Sequence, residues 1–333
     1  MHHSDDIANL FNRLGAHVGD YQEIESVFEY HEESLPPTPA PAPSTTARQP
    51  LSRLLQEIEQ QRQRLEAASG APQAFAPLGK ARVVAVVSAQ GGVGKSTLAG
   101  VLANALKRPG GRTLALDLSP QNALCLHVGG TLQWPGIAQN AGGHGRELLR
   151  EGYGGSHCLA YGVVDDVQRV AFEQRLANDP LWLAGYLAAL DLNAHDTVII
   201  DTPPGASVYL SQALEVADVV VVVTTAEAAS YASLDQMDRL LAPYLQRPAP
   251  AHCTFVINQL DTSRQFSLDM CAVLKNRTGM PLLGVVRQDH FLSESLAYDR
   301  DPLAHTPNTR GCQDALDLIE SLCELLVQTT REL

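Results

Sequence analysis

The sequence predicts an α/β fold: an open, mostly parallel sheet with helices on both faces, preceded by a small helical N-terminal segment. Three observations predict it. From residue 82 onward, short runs rich in β-branched residues alternate with segments of helical apolar spacing. The first of these runs feeds a glycine-rich loop that opens a helix. Two later runs end on aspartate, at the carboxyl edge where an open parallel sheet binds its ligands.

The elements follow in order. Val83–Val87 is the apolar run that a strand buried on both faces needs. A helix is expected from about Lys95 to Leu106, and Gly110 and Gly111 turn the chain into a second strand, Thr113–Leu116. Further strands are expected at Thr197–Ile200, Val216–Val223, Thr254–Ile257 and Leu282–Val286. Helical segments at Ser230–Leu241 and Phe266–Leu274 lie between them, and Ala315–Leu326 closes the chain. Such alternation gives parallel pairing with covered faces.

Ahead of this core lie three further segments. In residues 1–33, Ile7, Leu10, Phe11 and Leu14 sit at helical spacing, Gly15 can close the turn, and Tyr21, Ile24 and Phe28 continue the apolar thread. A piece this short cannot bury a core alone, so it is expected to pack on its own main domain or on a partner. Residues 34–50 carry six prolines, from Pro36 to Pro50, and read as a stiff linker. Residues 51–79 read as a helix and a tether, which leaves 80–333 as the main domain.

Composition narrows the function classes. The formal charge is −13, from 24 Lys and Arg against 37 Asp and Glu, with no basic block, so non-specific nucleic-acid binding is not expected. The six cysteines form no CxxC pair and read as reduced thiols. The apolar run near Val216–Val223 is too short to cross a bilayer and is broken by Asp218. The first 30 residues are acidic and polar, unlike a signal peptide. A cytoplasmic chain without direct membrane insertion is the expectation.

The chemistry lies in Ser88-Ala89-Gln90-Gly91-Gly92-Val93-Gly94-Lys95-Ser96-Thr97. A strand before it and a helix after it are the context that gives such a loop meaning. Gly91, Gly92 and Gly94 leave the backbone N–H groups around Val93 free to converge on phosphates, and the helix N-terminus adds positive potential. Lys95 is expected to reach the β- and γ-phosphates of ATP, and Ser96 to place its hydroxyl on Mg²⁺. Ala89 stands where the common pattern has its first glycine. Asp117 and Asp201 end two strands on the loop's side, so Asp201 is the expected magnesium partner, with Asp117 supporting the metal or its water network. Residues 125–195 are harder to read; Gly129, Gly130, Gly136, Gly142, Gly143 and Gly145 suggest loops that order with nucleotide or a partner.

The run Gln90–Thr97, the segment Asp117-Leu118-Ser119-Pro120-Gln121-Asn122 and the segment Asp201-Thr202-Pro203-Pro204 together resemble the P-loop NTPases of the ParA/MinD family, in the SIMIBI class, over about residues 81–328. Within it, the resemblance is greatest to the BcsQ family of cellulose biosynthesis. It rests on Ser119 in Asp117–Leu124, on Leu283–Asp289 ahead of Ser293–Ala297, and on a closing helix without a basic amphipathic anchor. Asp6, Ile7, Leu10, Asp20, Tyr21 and Ile24 resemble the core of BcsR, a small partner of BcsQ, which suggests a natural fusion of the two.

The resemblance implies an ATP-sandwiched homodimer acting with the cytosolic regions of the cellulose synthase BcsA–BcsB and associated Bcs subunits, peripheral at the inner membrane through those partners. It also implies an adenine side built from Asn258 and from the segment Arg287–Asp289. Two departures bear on catalysis. Gln90 stands where the family has a lysine that crosses the dimer, and Ser119 stands where it has the catalytic aspartate. An uncharged donor stabilises phosphate charge less than a cation, and serine is a poor base. Slow or absent hydrolysis is therefore expected from Lys95, Asp117, Ser119 and Asp201. The alternatives are an actively cycling ParA-like partitioning or positioning ATPase, and a metabolic enzyme of the same fold class, such as an amidotransferase-like ligase or a reductase iron protein.

Overall fold

A computed structural model describes residues 81–140, 145–247, 250–277, 279–304 and 309–331. The expected N-terminal segment, proline linker and helix with tether, at 1–33, 34–50 and 51–79, lie outside the described residues.

Among the described residues, eight strands form one sheet. They are β1 (Arg82–Val87), β2 (Thr113–Asp117), β3 (Arg150–Glu151), β4 (His157–Leu159), β5 (Thr197–Asp201), β6 (Val219–Thr225), β7 (His252–Leu260) and β8 (Leu282–Arg287). Their spatial order is β3-β4-β2-β5-β1-β6-β7-β8, and every neighbouring pair is parallel except β3 with β4. The helices are α1 (Lys95–Ala105), α2 (Leu124–His127), α3 (Asp166–Asn178), α4 (Trp182–Ala188), α5 (Val208–Val216), α6 (Ala228–Leu245), α7 (Gln265–Arg277), α8 (His290–Glu294) and α9 (Arg310–Arg331).

Side chains of a strand alternate between the two faces of its sheet, and β1 shows the result. Val83, Ala85 and Val87 join one core, with Phe172 of α3, Leu183 of α4, Leu210 of α5 and Met237 of α6. Val84 and Val86 join the other, with Leu102 of α1, Leu124 of α2 and Leu322 of α9. All seven residues of β6 are buried, which is why its valine run carries no polar alternation.

Where sequence and structure differ, the cause is local. The expected strand at Val216 starts instead at Val219, because Val216 closes α5. Asp218 interrupts the apolar run for a structural reason: its carboxylate accepts from the Val83 N–H at 2.7 Å and from the Arg82 guanidinium at 3.3 Å. The described residues of the segment 125–195 include the short strands β3 and β4 and the helices α3 and α4, and Cys158 and Leu159 of β4 are fully buried. Several of its glycines mark close packing. A Cβ on Gly136 would lie 2.1 Å from the Tyr161 carbonyl carbon, one on Gly130 would lie 2.4 Å from the Trp134 ring, and one on Gly129 would lie 2.6 Å from the Tyr153 ring. Gly142 and Gly143 lie outside the described residues.

Candidate nucleotide site

The loop Ser88–Gly94 joins the carboxyl end of β1 to α1. Gly92 and Gly94 both take φ of 79°, a left-handed conformation natural to glycine. Gly94 is also the N-cap of α1 and offers no capping side chain, so the first turn of the helix has its backbone donors to give elsewhere. The loop is tied down on three sides. The Ser88 hydroxyl donates to the Gln90 carbonyl at 2.8 Å, and the Gly205 N–H donates to the Ser88 carbonyl at 2.9 Å. On the β7 side, the Asn258 amide donates to the Val93 carbonyl at 2.8 Å and the Gln259 amide to the Gly92 carbonyl at 3.3 Å.

Below the loop lies a buried charge cluster. The register that pairs β2 with β5 sets Asp117 directly beside Asp201. Both carboxylates are fully buried. Asp201 divides its oxygens: Oδ1 accepts from the Lys95 ammonium at 2.6 Å, and Oδ2 accepts from the Ser96 hydroxyl at 2.6 Å. Asp117 accepts the backbone N–H groups of Ser119 at 2.8 Å and Leu124 at 2.9 Å. Burial, and then the Asp201 carboxylate beside it, push the Asp117 carboxyl up to about 8, against the pull of those two N–H groups and of Lys95. Two buried carboxylates thus share a single lysine, and the cluster has a place for additional positive charge.

That donor set fits magnesium. A hydroxyl that coordinates a metal through its oxygen lone pair directs its hydrogen at an acceptor, and the Ser96 hydroxyl already donates to Asp201 Oδ2. Among the described residues no group of three or more His, Cys, Asp or Glu is arranged to hold an ion. Magnesium at a nucleotide needs only one or two carboxylates, with phosphate and water completing its shell.

The structure thus gathers Gly91, Gly92, Val93, Gly94, Lys95, Ser96, Asp117 and Asp201 about one loop, with Thr97 in the first turn of α1. Ser119 sits beside Asp117, buried, its Oγ accepting the Gln121 N–H at 3.4 Å. Gln90 donates to the Ala229 carbonyl of its own chain at 3.0 Å, at the start of α6. Arg287 and Asp289 turn elsewhere. The Arg287 guanidinium grips Asp314 of α9 at 2.5 and 2.7 Å. Asp289 caps α8 through the Phe291 N–H and also accepts the Gly311 N–H. Burial would push the Asp289 carboxyl up, but the Thr309 hydroxyl and these N–H groups outweigh it and hold the group low.

Two residues at the site carry roles that sequence reasoning missed. Asn122, buried at φ 51°, donates to the Leu132 carbonyl at 3.3 Å and accepts the Gly162 N–H at 3.2 Å, so it pins the loop after β2 to the chain leaving β4. Gln259 is the other; its signal is a polar pair, Asn258-Gln259, after the apolar run Phe255-Val256-Ile257.

The family model for cellulose biosynthesis protein BcsQ matches residues 81–323. The chain belongs to the BcsQ family. It is also 34% identical over 249 residues to the chromosome-partitioning ATPase Soj of Thermus thermophilus, covering 73% of this chain and 96% of that one. Among solved structures, the ATP complex of a Cyanothece McdA variant superposes with a TM-score of 0.61 at 17% identity, over 74% of this chain and 97% of that one. The septum site-determining protein MinD of Pyrococcus horikoshii OT3, complexed with Mg-ADP, gives 0.59 at 21% identity, over 75% and 98%. These structural likenesses show the ParA/MinD P-loop fold. Among the described residues, no helix is long and apolar enough to cross a membrane.

Proposed function

We propose that this chain is an ATP-binding accessory subunit of the bacterial cellulose synthase complex, in which two copies close on two Mg-ATP molecules and hydrolysis is slow or absent. The observation that carries the reading is a phosphate-loop frame that keeps Gly94, Lys95 and Ser96 and has Gln90 and Ser119 where the ParA/MinD pattern has a lysine and an aspartate. Membership of the BcsQ family supports the cellulose assignment. The ATP and Mg-ADP held by the structural relatives support the nucleotide assignment.

In this reading the loop N–H groups from Gly91 to Thr97 and the Lys95 ammonium hold the phosphates, while Ser96 and Asp201, with Asp117 behind, hold magnesium. The metal supplies positive charge against the phosphate oxygens and the two buried carboxylates. Asn258, whose Nδ2 already serves the loop, would meet the base through Oδ1, with the segment Arg287–Asp289 beside it. Gln90 can leave the Ala229 carbonyl to donate across the dimer, but without charge. Ser119 can orient a water and cannot act as a carboxylate base. ATP then serves as a structural link between copies, which present a composite surface to the synthase.

The decisive experiment follows mass in solution and the bound nucleotide over time, with and without Mg-ATP. A dimer that retains unhydrolysed ATP is the expected result. Rapid ADP formation with return to monomer would favour a cycling switch, the reading that the relation to Soj supports.

A further inference from the structure

Strand β7 carries an irregularity at the site. Its pairing with β8 runs Ile257 to Val285 and then Leu260 to Arg287, so two residues, Asn258 and Gln259, oppose Val286 alone. This is a bulge, and Gln259 occupies it at φ 55°, a left-handed conformation that non-glycine residues rarely adopt. Consecutive residues of a regular strand point to opposite faces. Here the bulge sends both side chains to the same target: Asn258 Nδ2 donates to the Val93 carbonyl and Gln259 Nε2 to the Gly92 carbonyl. The two amides also occupy the space beside Gly94, where a Cβ would lie 2.4 Å from Asn258 Nδ2 and 3.1 Å from Gln259 Nε2.

We infer that Asn258 and Gln259 form a clasp that sets the phosphate loop for its anion, with Gln259 a positioning residue. The inference rests on the nucleotide reading given above. Its physics is peptide geometry. In a trans peptide the C=O and the following N–H point in opposite directions, and among the described residues no peptide bond is cis. Drawing the Gly92 and Val93 carbonyls toward β7 therefore turns the N–H groups of Val93 and Gly94 away from β7. Those N–H groups lie between Gly91 and Lys95 and are the ones a phosphate loop needs pointed at its ligand. Left alone, a glycine-rich loop samples many conformers, and an anion would have to select one from them. The clasp holds that conformer before the ligand arrives. Strain at Gln259 is consistent with such a role, since backbone outliers persist where the surroundings enforce them.

The test uses the full chain and two variants. Gln259→Gly removes the donor and relieves the positive φ; Gln259→Met removes the donor and keeps the stem and the strain. Calorimetric binding of Mg-ATP and of Mg-tripolyphosphate, which lacks a base, is measured beside thermal unfolding. Both variants are expected to lose roughly 3- to 10-fold in affinity for both ligands, the worth of one hydrogen bond. The glycine variant is expected to unfold at the same temperature as the parent or higher, which a merely structural role would not produce. Unchanged affinity in both variants overturns the clasp. A loss confined to ATP would assign Gln259 to the base and overturn it too. Failure of the parent chain to bind either ligand would instead overturn the nucleotide reading beneath it.

Discussion

Lys95 and Ser96 meet on Asp201, and Asp117 stands behind them buried and raised toward neutrality. In the reading proposed above, Ser119 gives an attacking water no carboxylate at its position and Gln90 gives the phosphate no second cation. Oriented charge aimed at a transition state commonly contributes two or three orders of magnitude in rate, so the proposal assigns the loss of turnover to these two positions. The double variant Gln90→Lys with Ser119→Asp is expected to raise steady-state phosphate release by at least about tenfold over the parent. Ser119→Asp alone is expected to give little. It would place a third carboxylate in a buried cluster already short of positive charge, and would lower stability in the absence of Mg-ATP. Phosphate release by both variants, with unfolding followed at and without saturating Mg-ATP, checks the pair; equal turnover in parent and double variant would place the defect elsewhere.

Elements hold the site because their opposite ends are fixed. At the amino edge of the sheet, Asp196 is nearly fully buried and accepts four hydrogen bonds, from the N–H and guanidinium of Arg112 and from the N–H and side-chain amide of Asn193. Its own carbonyl accepts the Arg82 N–H, so one residue aligns β1, β2 and β5. Burial pushes the Asp196 carboxyl up, but the N–H groups of Asn193 and Arg112 and the Arg112 guanidinium outweigh it and hold the group below its usual value of 3.8. A carboxyl lowered on folding stabilises the protein above its unfolded-state value, and that stabilisation is lost as pH falls through the folded-state value. Asp196→Asn is therefore expected to be less stable than the parent by about 1–3 kcal/mol near neutral pH. The gap should hold down to about pH 5 and narrow below about pH 4. Urea unfolding of both proteins across that range measures it, and a gap that widens on acidification would contradict the assignment. Six of the eight strands were legible because each is a β-branched or apolar run of four or more residues. β3 and β4 were not, since two and three residues cannot display a period of two, and Cys158 and Leu159 are core residues hidden among glycines. The loop, Lys95 and Asp201 were legible through motif and strand end. The approach of Gln259 was not, because period-two reasoning sends it to the face opposite Asn258 and only the bulge reverses that.

For the whole molecule, charge separates the accessory reading from the partitioning one. A chain that binds DNA without sequence preference does so by neutralising phosphates with Lys and Arg, and its affinity falls steeply with salt. This chain has 24 such residues against 37 acidic ones. Part of the basic complement is already committed to carboxylates of the same chain among the described residues: Lys95 to Asp201, Arg112 to Asp196, Arg247 to Glu215, Arg277 to Asp235, and Arg287 to Asp314. Closing two copies on ATP doubles the net negative charge and adds that of the nucleotide, so dimerisation alone does not create the positive field that a DNA-bound partitioning ATPase requires. The ATP-loaded chain is accordingly expected to show no retention on duplex DNA even at about 50 mM salt, where such contacts are strongest. The measurement is co-elution with a labelled duplex at low salt, with and without Mg-ATP. Retention that appears only with ATP and vanishes on adding salt would revive the partitioning account. Its absence would leave proteins as the partners of the loaded state, as the cellulose assignment requires.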